Sequence, residues 1–114
     1  MKVENMTSSR GNKIANQFLI NEKLEKHHYK YLCKKYNVKF QEGMKYSRFA
    51  FQSYDSTIVV ILSNGYTQEV ILDNYYWNYS RTTSRYRNIF LNETSKQIES
   101  KIKQGIYKLV KLNK

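Results

Sequence analysis

The segment Thr57 to Leu62 (TIVVIL) is apolar or β-branched at every position, so neither of its faces suits water. A strand of that kind belongs at the centre of a sheet that is covered on two sides. Asn64-Gly65 follows it, and both residues tolerate the positive φ of a type I′ hairpin turn. Tyr66 to Leu72 then reads as the return strand. Just upstream, Phe49 and Phe51 alternate with Arg48, Ala50 and Gln52, the period of another strand, and Asp55-Ser56 supplies the turn between them. An antiparallel meander at the middle of the chain therefore constrains the rest.

On either side of it the pattern changes. Asn16 to Ile20 (NQFLI) predicts a first strand, and Asn21 a cap for a helix over Glu22 to Tyr36. On a 3.6-residue period Leu24, His28, Tyr31, Leu32 and Tyr36 share one side, with Lys23, Lys26, Lys30 and Lys34 in a stripe roughly opposite. The aromatic run Tyr75, Tyr76, Trp77, Tyr79 leads into a helix from Thr82 to Leu91. Thr94 with Gln97 forms a capping box for a second helix, and Gly105 stops it. Ile106 to Leu112 closes the chain as a strand. The expected fold is a single α+β domain over residues 1–114, with an antiparallel sheet of four or five strands and helices on one side.

With 114 residues and 28 Leu, Ile, Val and Phe, a modest core is within reach. A lone Cys33 excludes an internal disulfide framework and suits a reducing compartment. Met1 to Arg10 holds no apolar stretch of signal-peptide type, and the longest apolar run, Ile58 to Leu62, is far too short to span a bilayer. The expectation is a cytoplasmic protein without membrane contact.

Catalytic chemistry finds little purchase. His27, His28 and Cys33 are the only soft metal ligands, and adjacent histidines on a helix project about 100° apart. Glu99-Ser100-Lys101 has the Glu-x-Lys spacing used by many nucleases, yet one carboxylate does not hold Mg²⁺, and on a helix Glu99 pairs more simply with Lys103. The four glycines are scattered singly, so no phosphate-cradling loop exists. The sequence predicts no catalytic residue, metal site, cofactor or small-molecule substrate.

Binding residues are more plentiful. The net charge is +11, and excess positive charge attracts polyanions. Residues 1–47 and 92–114 carry most of it, while residues 48–91 hold four basic and three acidic side chains. Within that near-neutral centre, Arg81, Arg85 and Arg87 fall close together beside Tyr79 and the hydroxyls of Ser80, Thr82 and Thr83. Arginine forks grip phosphate or carboxylate in pairs, and a helix start rich in Ser and Thr adds N–H donors. A capped helix whose arginines pair internally with Asp73 or Glu93 uses the same residues, and both readings stay open. The stripe Lys23, Lys26, Lys30, Lys34, with Tyr29, Tyr31 and Tyr36 interleaved, is the second candidate surface.

Ser9-Arg10-Gly11-Asn12, Asn16-Gln17-Phe18, Phe51-Gln52-Ser53-Tyr54, the stretch Trp77-x-Tyr79-Ser80-Arg81-Thr82-Thr83-Ser84-x-Tyr86-Arg87-Asn88-x-Phe90-Leu91 and Gly105-x-Tyr107 are similar to a family of short, largely uncharacterised proteins of phages and other mobile elements. The resemblance spans all but about residues 21–47, which read as a basic helical insertion holding seven of the fifteen lysines. It implies a mobile-element accessory protein and no settled activity. By analogy with small phage inhibitors, it suggests a non-catalytic, anti-CRISPR-like protein that blocks a host nucleic-acid-guided defence nuclease, by binding its protein surface, guide RNA or target DNA. Direct, sequence-nonspecific DNA or RNA binding is the alternative.

Overall fold

The computed structural model describes residues 1–114. Five strands lie beside one another in the order in which the chain makes them: β1 (Lys2–Thr7), β2 (Lys13–Leu24), β3 (Tyr46–Ser53), β4 (Ser56–Ser63) and β5 (Gln68–Asp73). All neighbours among them are antiparallel. A short β6 (Lys108–Val110) then pairs with β5 in parallel. The sheet thus has six strands and is mixed, which corrects the expected four or five antiparallel strands. A parallel neighbour requires a crossover, and the helices α2 (Arg81–Leu91) and α3 (Ser95–Lys103) provide it. No helix is long and apolar enough to cross a membrane.

Helices cover both faces of the sheet, not one. On the first face α1 (Lys26–Lys35) buries Tyr29 and Cys33 against Ala50, Val60, Leu62 and Ile71. On the second, Ile98 of α3 and Phe90 of α2 pack with Phe51, Val59 and Leu72. The doubly apolar TIVVIL segment requires this arrangement. A bulge adds to it: Phe51 faces Val59 while Gln52 faces Thr57, so Ile58 is an extra residue. Ile58 and Val59 consequently both join the second core.

Residues 21–47 are woven into the domain. β2 runs on through Leu24, with Asn21 paired to Lys2 on one side and Phe49 on the other, so Asn21 caps no helix and Lys23 lies on a strand. The helix starts after Glu25, and its buried stripe is Tyr29, Cys33 and Tyr36 with Leu32 at the margin, while His28 and Tyr31 are exposed. Pairing with β3 all the way to Leu24, and with β1 as far as Asn21, outweighs the local helical period there. Burial pushes the Cys33 thiol pKa up, so the group stays protonated and packs as a small hydrophobe.

The β4–β5 connection differs from a two-residue turn. Ser63 pairs with Gln68, leaving four residues between them. The side chain of Asn64 closes this loop by accepting from the Tyr66 and Thr67 N–H groups at 2.8 and 2.7 Å. Its carbonyl also accepts from the Met44 N–H, and a Cβ on Gly43 would stand 2.0 Å from that oxygen. Only glycine permits so close an approach.

Candidate nucleic-acid interface

Where β5 ends, the buried carboxylate of Asp73 organises the chain. Its Oδ2 accepts from the N–H groups of Tyr75 at 3.0 Å and Tyr76 at 2.7 Å, and its Oδ1 from the Leu112 N–H at 2.8 Å. Burial pushes the Asp73 pKa up, but the backbone donors of Tyr76, Leu112 and Tyr75 outweigh it and hold the group below its ordinary 3.8. A depressed carboxylate pKa contributes stability that is fully present above the unfolded value and is lost as pH falls through the folded one. Asp73→Asn is therefore expected to cost about 2 kcal/mol at pH 7. Its deficit against the parent should shrink as acid unfolding is followed below pH 3.8, and a constant deficit would contradict this role.

The turn so fixed presents three tyrosine rings together. Tyr75 and Tyr76 meet edge to face at 4.7 Å, and Tyr79 lies 5.7 and 5.2 Å from them. Tyr75 is 66% exposed and Tyr79 61%. A shallow cleft of about 400 Å³ borders the cluster on one side, lined by Tyr75, Tyr76, Lys111, Asn113 and Lys114. Ser80 follows on the other side; it caps α2 by accepting from the Thr83 N–H at 3.1 Å. Arg81 comes next, exposed, in a first turn without acidic residues. The cluster thus has two lysines across a cleft on one side and, next in the chain, the capped start of α2 with Arg81.

The three arginines do not act alike. Arg81 and Arg85 are exposed, Arg85 with its guanidinium 5.5 Å from the Tyr86 ring. Arg87 is fully buried and so cannot contact a partner, which corrects its place in the expected surface. Its guanidinium donates to the Trp77 carbonyl, to the side-chain oxygens of Asn78 and Asn88, and to Ser95 Oγ. It also lies over the Trp77 ring at 5.5 Å. The internal use of arginine holds for this residue, though not with the expected acids. Asp73 serves the backbone, and Glu93 accepts from Tyr107 and pairs with Lys101. On the same helix Ile89 is 56% exposed beside a cleft above β1 and β2.

The lysine stripe is divided. Lys23 lies on β2, whereas Lys26, Lys30 and Lys34 lie on α1, across the sheet from α2. Lys26 pairs with Glu42, Lys30 stands 5.3 Å from the Phe40 ring, and Lys34 is exposed. The two expected basic surfaces are therefore separate. The residues that sequence reasoning left out are Lys111, Lys114 and Tyr54, which only the Asp73 turn and the β3–β4 turn bring near Tyr75 and Tyr79. No group of three His, Cys, Asp or Glu side chains converges to hold a metal ion, and Glu99 pairs with Lys103 at 3.3 Å.

Neither the curated proteins nor the solved structures yield a match to this chain. A family model does, over residues 1–106, a range that runs through both the 21–47 segment and the Tyr-Ser-Arg-Thr-Thr stretch. The chain belongs to DUF8033, a family of unknown function.

Proposed function

We propose that this chain is a non-catalytic protein that binds single-stranded nucleic acid. The observation that carries the reading is the exposed Tyr75–Tyr79 cluster between Lys111 and Lys114 on one side and Arg81 on the other. Aromatic faces beside tracked positive charge are what a flexible single strand needs, since bases stack on the rings while cations neutralise phosphates. The same observation bears on the inhibitor reading. The nucleic-acid channels of guided nucleases are positively charged, so a protein of net charge +11 is repelled by an empty one. A mobile-element protein of this charge blocks such a nuclease by holding its guide RNA or target strand.

Titrating a labelled 12-nucleotide single strand, DNA or RNA, against salt tests the reading. Binding is expected at 50 mM salt and should weaken steeply as salt rises. Arg81→Gln should flatten the log–log slope by about 0.7, the share of one phosphate contact. Absence of binding at low salt refutes the proposal. A cleavage assay on a panel of guided nucleases then tests the target; unimpaired cleavage throughout, with binding intact, removes the inhibitor role alone.

A further inference from the structure

We infer that the cleft between Tyr54 and Tyr79 accepts a single unstacked nucleobase. The inference rests on the single-strand reading above and gives that interface a place for one base, beyond a stacking surface.

The cleft measures about 200 Å³ and lies between the β3–β4 turn and the start of α2. That is room for one flat heteroaromatic ring. Tyr54 and Tyr79 line it and are 57% and 61% exposed, so each has aromatic surface to offer. Ser53, Ser80 and Thr83 line it with hydroxyls. Ser53 Oγ and Thr83 Oγ1 are buried and share one hydrogen bond of 3.1 Å. Whichever of the two donates, the O–H of the other remains, and a base carbonyl or ring nitrogen is a fitting acceptor for it. Next to the cleft, the first N–H groups of α2 have no partner within the helix, and Arg81 adds a charge for the adjoining phosphate.

Backbone strain supports the same use. Tyr54 adopts φ +54° in a two-residue turn, where Gly or Asn would sit without penalty. Its N–H donates to the Asn16 carbonyl at 2.7 Å, and its own carbonyl accepts from Gln52 Nε2 at 2.7 Å, so the surroundings hold it there. Asn16 is itself left-handed at φ +65°. A bulky ring kept at such a position, exposed to water, contributes nothing to the core. Strain of this kind marks a side chain retained for a contact outside the fold.

The test is Tyr54→Gly, with Tyr54→Asn as a second variant of the same backbone preference. Melting temperature is read alongside the affinity for dT12 and for an abasic 12-mer of equal charge. The parent should prefer dT12 by about tenfold or more. Both variants should melt several degrees higher than the parent, yet lose most of that preference. Variants that keep it overturn the base pocket and leave the single-strand reading standing on Tyr75. A parent that binds both oligomers equally overturns the pocket and reduces the interface to charge. A parent that binds neither overturns the single-strand reading and the pocket with it.

Discussion

Arg87→Ala is expected to lower the stability of this domain by about 3–4 kcal/mol, a fall in Tm of roughly 12–20 °C. The side chain is fully buried, and no carboxylate balances its charge. Burial pushes its pKa down from the ordinary guanidinium value, yet the group remains protonated, so the fold carries the charge and disperses it over neutral oxygens. Truncation leaves the Trp77 carbonyl and Asn88 Oδ1 without their donor, removes one of the two donors to Ser95 Oγ, and opens a cavity the size of the side chain. Arg87→Met separates the two costs: it fills the space and restores no donor, so it should recover part of the loss. Thermal unfolding by circular dichroism is the measurement, and a shift below 3 °C for Arg87→Ala would show that the network contributes little.

The second large effect belongs to binding. Tyr75→Ala with Tyr79→Ala should raise the Kd for a single strand at least 30-fold. Loss of one stacked base costs about 1–3 kcal/mol, and two rings 5.7 Å apart are not fully additive. Because both rings are largely exposed, the melting temperature should move by only a few degrees. Changing Lys26, Lys30 and Lys34 together to Gln provides the contrast, since those residues lie across the sheet. It should leave both the salt slope and the preference for bases nearly unchanged. If the double tyrosine variant binds as the parent does, the aromatic cluster is not the interface.

Much of this architecture can be read from particular residues. TIVVIL announces a strand buried on both faces, and Thr94 with Gln97 forms the capping box that the pattern predicts. Gly105, at φ +77°, ends α3 as expected. What escaped has physical causes. β1 reads Lys-Val-Glu-Asn-Met-Thr, and an edge strand needs few apolar residues because half of its surroundings are water. Leu24 and Lys23 follow a helical period with their neighbours, but pairing with β3 claims them. Trp77 and the Tyr-Ser-Arg-Thr-Thr stretch adjoin the tyrosine cluster of the candidate site. Proximity in sequence could not say that Arg87 turns inward while Tyr75 and Tyr79 stay out. Nor could it show Lys111 and Lys114 folding back beside them, since Asp73 reaches 39 residues along the chain to Leu112.

That last hydrogen bond sets an order of assembly. Strands β2 to β5 each pair with the one made just before, so most of the sheet can form progressively, with short loops to close except for the connection that carries α1. The tyrosine turn is different: its anchoring carboxylate has all three donors only once Leu112 is present. A nascent chain that stops short of Leu112 would hold strands β1 to β5 and an unfinished tyrosine turn. Completion of the turn is thereby deferred until Leu112 has been made.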